Sequence, residues 1–285
     1  MEPTKSHPCF SYQCHPTTGR IHLPVSPKCN IGCRFCGRGI NSHMSIPGNA
    51  SRVLSPEEAL DLLERALILC PELKVAGVAG PGEPLAGPEA LDTLIKVKRA
   101  YPELITCLST NGLALADSLT RILEAGIETL TVTVNAVKAE ILAQINAVTI
   151  IDGQALKGLQ GAKALLEAQE RGLRLAKEKK ITIKVNMVLI PGINQNHVDE
   201  VAQKVKAWGA SLINIIAMIP GGAFKNITTL SDEELNEARA IAGKSLRPIL
   251  HCARCRADAC GIPGVSDYAK ELYQNLPQTE TFSHG

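Results

Sequence analysis

The sequence predicts an α/β fold, a partial and open (β/α)6 barrel with an N-terminal arm and a C-terminal tail. Three observations predict it. Six short apolar runs alternate with segments of helical periodicity, the pattern of βαβ units that build a parallel sheet. Turns rich in glycine, proline or asparagine follow these runs on their C-terminal side, where α/β barrels place their sites. The 285 residues, 45% of them hydrophobic, contain no internal repeat and no domain-scale linker. One domain is therefore expected, with an arm over 1–20, a barrel core over 21–222, and a C-terminal helix and tail over 223–285.

Residues 20–26 read as the first strand, with Ile21, Leu23 and Val25 on one face and His22 on the other. Cys29-Asn30-Ile31-Gly32-Cys33-Arg34-Phe35-Cys36 follows it, and then a polar loop over 37–50. Ser55, Pro56 and Glu58 open a helix as cap, first helical residue and capping-box partner. Leu60, Leu63 and Leu67 mark its buried stripe, and Cys70 at its end reads as core. The second strand, 73–79, exits through Gly80-Pro81-Gly82-Glu83-Pro84, where glycines let backbone approach a ligand closely.

A helix over 86–100 leads to the third strand, 104–109, which carries Cys107 and turns out through Thr110-Asn111-Gly112. A helix over 115–124, a strand over 129–134 ending at Asn135, and a short helix over 137–145 come next. Residues 154–177 read as one long helix, weakened by Gly158, Gly161 and Gly172. The fifth strand, 181–190, carries Asn186 and exits at Pro191-Gly192-Ile193-Asn194. His197 is expected near a helix N-terminus and solvated, on a helix over 197–208. The sixth strand, 212–218, closes at Pro220-Gly221-Gly222, and Ser231 with Glu234 forms a second capping box.

Net charge is only +2, which gives no electrostatic reason to expect nucleic acid or an anionic membrane surface as partner. Aromatics make up 3%, with Trp208 the only tryptophan, so stacking platforms for single strands are not apparent. No apolar run is long enough to span a bilayer, and residues 1–10 lack the apolar stretch of a secretory signal. A reducing cytoplasm is the expected compartment.

The ten cysteines are the outlier of the composition. Clustered cysteines in an intracellular chain point to metal rather than to disulfides. Cys29, Cys33 and Cys36, spaced C-x3-C-x2-C, are able to hold three irons of a cubane iron–sulfur cluster and leave the fourth iron open. Zinc normally takes four ligands, often as two C-x2-C pairs. His7, Cys9, Cys14 and His15 put further soft or borderline donors in the arm, and Cys252-Ala253-Arg254-Cys255 puts a pair in the tail.

The triad, with Phe35 just before its last cysteine, resembles the signature of the radical S-adenosylmethionine (SAM) enzymes. Within them the chain resembles the NifB family of nitrogenase-cofactor maturases. The motifs that carry the likeness include His7-Pro8-Cys9-Phe10, Gly19-Arg20-Ile21-His22-Leu23-Pro24-Val25, Pro27-Lys28-Cys29-Asn30-Ile31 and Ala79-Gly80-Pro81-Gly82. Leu108-Ser109-Thr110-Asn111-Gly112, residues 184–194 and residues 252–259 complete them.

The resemblance implies a radical SAM barrel whose N- and C-terminal extensions bind clusters. Cys29, Cys33 and Cys36 would hold the SAM-cleaving 4Fe–4S cluster. Phe35, Gly80, Gly82, Glu83, Asn111, Asn135 and Asn186 would line the SAM site, with Gly80 to Glu83 where the family's Gly-Gly-Glu motif grips the methionyl amino group. Cys9, His22, Cys107, Cys252 and Cys255 would hold two further 4Fe–4S clusters. These would be fused, with a SAM-derived carbide and a ninth sulfur, into the 8Fe–9S–C precursor of the nitrogenase cofactor. Implied partners are iron–sulfur donor proteins and cofactor carriers or scaffolds, with no nucleic acid, no membrane and a monomeric chain.

One departure stands out: Asn41 occupies the position, five residues past Cys36, where the family usually has a cysteine ligand. His43 and Cys14 are candidates to compensate, and Cys260 is either core or a spare ligand. Two other readings stay open at this point, a different radical SAM maturase with additional clusters and a non-catalytic iron–sulfur carrier.

Overall fold

The computed structural model describes residues 3–37 and 47–274. Asn41 and His43, named above as departure and candidate replacement, lie outside the described residues. A short helix α1 (Pro3–Ser6) precedes strands β1 (Gly19–His22) and β2 (Ile31–Cys33). Helix α2 (Pro56–Leu69), β3 (Leu73–Val78), α3 (Glu89–Ala100) and β4 (Ile105–Thr110) follow. Then come α4 (Leu119–Glu124), β5 (Thr129–Thr133), α5 (Ala139–Ile145), β6 (Asn146–Ile151), β7 (Gln154–Lys157) and α6 (Gly158–Glu178). The chain ends with β8 (Thr182–Leu189), α7 (Val198–Trp208), β9 (Leu212–Ala217), α8 (Asp232–Gly243), β10 (Arg247–Pro248), β11 (Cys260–Gly261) and α9 (Ala269–Tyr273).

The main sheet runs β10-β9-β8-β5-β4-β3-β1-β11. Its six long-predicted strands pair in chain order and in parallel, each crossover advancing by one neighbour, as in an open (β/α)6 barrel. The reason is legible locally. These strands are apolar on the face that the helices cover, while inward positions such as Cys107, Thr131, Asn186 and Asn214 carry polar or thiol side chains. β10 adds to the far edge in parallel, and β11 closes the near edge antiparallel to β1.

The predicted first strand is shorter than its apolar run. Ladder pairing stops at His22, although Leu23 and Val25 remain fully buried and Ser26 makes a single bridge to Pro81. Both capping boxes form: the Ser55 and Ser231 side chains each accept from the backbone N–H three residues on. The buried stripe of α2 is Ala59, Leu62, Leu63 and Ala66, with Leu60 and Leu67 at its margins, so the predicted stripe is rotated slightly.

One predicted helix needs correction. The long helix begins at Gly158, not at 154, because residues 154–157 are the return strand of a β6–β7 hairpin turning at Asp152 and Gly153. That hairpin joins β2 in a second, three-stranded sheet that the sequence did not announce. Among the described residues, no helix is long and apolar enough to cross a membrane.

Candidate functional site

The C-terminal ends of the parallel strands open into a cavity of about 300 Å³. The triad loop forms part of its wall. β2 pairs antiparallel with β6, setting Cys33 opposite Asn146. Arg34 N–H donates to the Ile145 carbonyl at 2.8 Å, and the Arg34 carbonyl accepts from Ala223 N–H at 2.7 Å. The loop is thus held from both sides, by α5 and by the segment after β9. Cys29, Cys33 and Cys36 are half-buried and all line the cavity, with Phe35 between the last two.

Gly82 shows why a glycine stands after β3. A Cβ there would come within 2.1 Å of the Lys28 carbonyl oxygen, one residue before the triad. Gly80, at φ +131°, makes the turn that presents Gly82 and Glu83 but does not itself line the cavity. The Glu83 carboxylate is buried and accepts from Leu85 N–H at 3.1 Å, Asn111 N–H at 2.7 Å and the Thr110 hydroxyl. Asn111 then donates from its amide to Asn30 Oδ1 at 2.7 Å, tying the end of β4 to the triad loop. Asn135 and Asn186 also line the cavity; the first accepts from Val188 N–H at 2.9 Å and the second from the Asn214 amide at 3.1 Å. Asn214 Oδ1, Asn146 Oδ1 and Gln169 Oε1 are buried without a partner. These three residues line the same space, so each oxygen is an acceptor that a bound molecule is able to satisfy.

A second donor set occupies another part of the wall: Cys9, His22, Cys107, Cys252 and Cys255. Phe10 anchors the arm by packing on Leu212 and Ile249 beside Cys9 and Cys252. Cys107 sits in mid-strand on β4, opposite Gly77. A Cβ on Gly77 would lie 2.4 Å from the Cys107 sulfur, so the glycine makes the notch into which this thiol fits. His22 Nδ1 is 2.9 Å from the Arg256 carbonyl, which places the proton on Nδ1 and leaves the Nε2 lone pair available to a metal.

Burial dominates the electrostatics here. It pushes the Cys9 thiol up to about 11, against the pull of Lys184, and the Cys107 thiol up to about 12. His22 is held down to about 4 by burial and then by Arg20, so its imidazole is neutral. Among the described residues, no three His, Cys, Asp or Glu side chains form a group able to hold one metal ion. The thiols are instead spread along the wall, and ligands to separate irons of a cluster are separated in that way. Three half-buried thiols on one tight turn suit three irons of a cubane, so the residues present fit the cluster that the sequence implies.

Other cysteines stand apart. Cys70 is buried in the core, as expected, and Cys260 is core as well, on β11 opposite Ile21. Cys14 is not in the cavity wall; its thiol faces the Ser11 carbonyl at 3.7 Å. His15 Nδ1 and His251 Nε2 both lie 3.1 Å from the Pro8 carbonyl and clasp the arm to the tail. His197 is corrected: it is buried, and its Nε2 accepts from Val137 N–H at 3.1 Å. His7, an expected donor of the arm, lines the cavity too, and sequence reasoning missed two more lining residues, Arg20 and Lys184. A charged residue at an inward position of an otherwise apolar strand was the available signal for the last two.

Comparison with known proteins places this geometry among relatives. The family model for the radical SAM superfamily matches residues 23–205. The FeMo cofactor biosynthesis protein NifB of Methanocaldococcus infernus is 40% identical over 272 residues, covering 95% of this chain and 90% of that one. The FeMo cofactor biosynthesis protein NifB of Chlorobaculum tepidum is 41% identical over 264 residues, covering 91% of this chain but 62% of that longer one. Among solved structures, a radical SAM methyltransferase from Sphaerobacter thermophilus superposes with a TM-score of 0.59 at 18% identity, over 82% of this chain and 66% of that one. The last likeness is one of fold.

Proposed function

The chain belongs to the radical SAM superfamily and, within it, to the NifB family, and from that premise we propose that it assembles the carbide-bearing iron–sulfur precursor of the nitrogenase cofactor. The observation that carries this reading is the single cavity that unites two donor sets, the triad and the group formed by Cys9, His22, Cys107, Cys252 and Cys255. An enzyme that only cleaves SAM needs the first set alone.

In this reading Cys29, Cys33 and Cys36 hold the resident 4Fe–4S cluster. When bound, that cluster supplies the electron that cleaves SAM to a 5′-deoxyadenosyl radical. Glu83 braces the loops after β3 and β4, and Asn111 transmits that brace to the triad loop. Phe35, Gly82, Asn135 and Asn186 are the wall positions expected to contact SAM, with Gly80 shaping the turn behind them.

Two 4Fe–4S clusters are then substrates. Cys9 and Cys252 both pack against the cluster of Phe10, Leu212 and Ile249, and Cys255 follows Cys252 by three residues, so we assign these three to one ligand group. His22 and Cys107 are left for the other. A substrate that must be released benefits from exchangeable ligands, and a neutral imidazole leaves iron more readily than a thiolate. One SAM gives its methyl group to a substrate-cluster sulfide, and a second SAM yields the radical that takes hydrogen from that methyl. The two remaining hydrogens leave as protons, the C–S bond breaks, electrons from the cluster irons and the added dithionite take the carbon to the central carbide, and an inorganic sulfide from solution enters as the ninth sulfur when the clusters fuse. Cluster donor proteins upstream and a cofactor carrier or scaffold downstream are the implied partners.

The test is anaerobic reconstitution with iron and sulfide, followed by SAM and dithionite. Formation of both S-adenosylhomocysteine and 5′-deoxyadenosine is expected. 5′-Deoxyadenosine alone would mean a different radical SAM reaction. Neither product, with clusters loaded, would mean a carrier.

A further inference from the structure

We propose that Arg20 and Lys184 form a cationic cradle for the substrate cluster held by Cys9, Cys252 and Cys255, raising both its retention and its reduction potential. The proposal rests on the reading of that thiol group as a substrate-cluster site.

Arg20 lies on β1 and Lys184 on β8, four neighbours apart in the sheet, yet both face the same cavity. Arg20 is 5% exposed and Lys184 6%. The Arg20 guanidinium donates to the Gly261 carbonyl at 3.1 Å and to the Cys255 sulfur at 2.8 Å, while its Nε has no partner. Lys184 Nζ donates to the Cys9 carbonyl at 3.3 Å and stands 4.7 Å from the centre of the Phe10 ring.

Among the described residues, neither cation is ion-paired to a carboxylate. Asp267 favours the Arg20 charge from beyond ion-pair distance, and neither acidic group nearby is paired with Lys184. Asp258 is bonded to Arg256 and Ser51, and Asp267 accepts from Ala269 N–H. A buried charge with no counter-charge is strongly unfavourable. Two in one chamber make sense when an anion belongs there. A cluster is such an anion, because each ligating thiolate carries a negative charge and each added electron brings another. Nearby cations favour the more negative state in both respects. The pull of Lys184 on the Cys9 thiol runs in the same direction.

The two cations are suited to different tasks. The Arg20 fork is fixed between Gly261 and Cys255 and so positions one ligand. Lys184 uses one of its three ammonium donors on Cys9, leaving two N–H groups for cluster sulfides, and its flexible stem lets it follow a substrate that changes shape.

The experiment compares Lys184→Met and Arg20→Gln with the charge-keeping Lys184→Arg and Arg20→Lys, in full-length chains whose triad cysteines are replaced by alanine. Three readouts are taken: melting of the cluster-free chain, iron retained after desalting, and anaerobic redox titration followed by electron paramagnetic resonance. Cluster-free Lys184→Met is expected to melt above its parent, because an uncompensated buried charge is gone. Loaded Lys184→Met and Arg20→Gln are expected to keep less iron. At a fixed potential their reduced-to-oxidised ratio should fall at least tenfold, about 59 mV for a one-electron couple. The charge-keeping variants should titrate near the parent.

Unchanged potential and retention in both neutral variants would overturn the cradle while leaving the substrate-cluster reading intact. A cluster-free Lys184→Met that melts below its parent would also overturn it, by showing that the chain itself compensates the charge. If the triad-replaced parent takes up no cluster at all, the substrate-cluster reading falls, and the cradle with it.

Discussion

The backbone N–H of Asn111 donates to the carboxylate of Glu83 at 2.7 Å, joining the exits of two neighbouring parallel strands. The same carboxylate accepts from Leu85 N–H and the Thr110 hydroxyl, so it functions as a brace inside the wall rather than as a free acid. Glu83→Gln keeps the size but removes the charge and turns an N–H donor toward another donor. Hydrogen bonds to charged groups contribute roughly 1.5–3 kcal/mol, and a loss of that order is expected in urea unfolding of the cluster-free chain. SAM binding, measured by equilibrium dialysis, should weaken in parallel. Unaltered unfolding would show that the brace is not structural.

Gly82 tests how tightly the loop after β3 is fitted against the triad loop. In Gly82→Ala the new Cβ meets the Lys28 carbonyl oxygen at 2.1 Å, and backbone must move to admit it. Overpacking of this kind costs about 1–3 kcal/mol, and here the displaced segment leads directly into Cys29. Iron retained by the triad should therefore fall, read by iron analysis in a chain lacking the second donor set. Gly153→Ala is the matched control: nothing lies within 4 Å of its Cβ position, and only hairpin strain at φ +75° results. Equal iron in the two variants would refute the steric account.

His22 gives a prediction about conversion rather than loading. Its Nδ1–H bond to the Arg256 carbonyl fixes the ring at the cavity wall and leaves Nε2 as a neutral donor. His22→Ala is expected to abolish the carbide-bearing product while 5′-deoxyadenosine from uncoupled SAM cleavage persists. His22→Cys is expected to load iron but convert slowly, since a thiolate is harder to release. Full product formation by His22→Ala would remove this residue from the ligand set.

Much of the architecture was readable in the sequence because its causes are local. The parallel strands announce themselves as apolar runs, and the capping boxes at Ser55 and Ser231 use residues only three apart. The triad is local too. The hairpin of β6 and β7 was hidden although Asp152-Gly153 is a recognised turn signal, because residues 154–157 run without a break into the amphipathic pattern of α6. The burial of His197 depends on Val137, 60 residues away, and no sequence window contains both. Cys107 was ambiguous between core and ligand for a similar reason: its notch is made by Gly77 on the adjacent strand. Arg20 and Lys184 were visible as charges in apolar runs, but only their shared cavity shows that they belong together.

His197 sets a pH dependence that can be tested apart from the cavity. Burial lowers its pKa from the usual 6.5, with Lys138 acting in the same direction and Glu200, 3.2 Å from Nδ1, acting against it. Glu200 stays ionised, held down chiefly by Lys138. A histidine whose folded pKa lies below its unfolded value binds its proton more readily when unfolded. Its contribution to stability is therefore complete above about pH 6.5 and declines as pH falls below that value toward the folded pKa. His197→Gln offers a side-chain oxygen to Val137 N–H without a titrating group. The fall in urea midpoint between pH 7.5 and 5 should consequently be shallower in this variant than in the parent, with the other histidines common to both chains. An identical slope would mean that His197 titrates alike in the folded and unfolded chain, and a shallower fall in the parent would mean that Glu200 holds the proton on His197 in the fold.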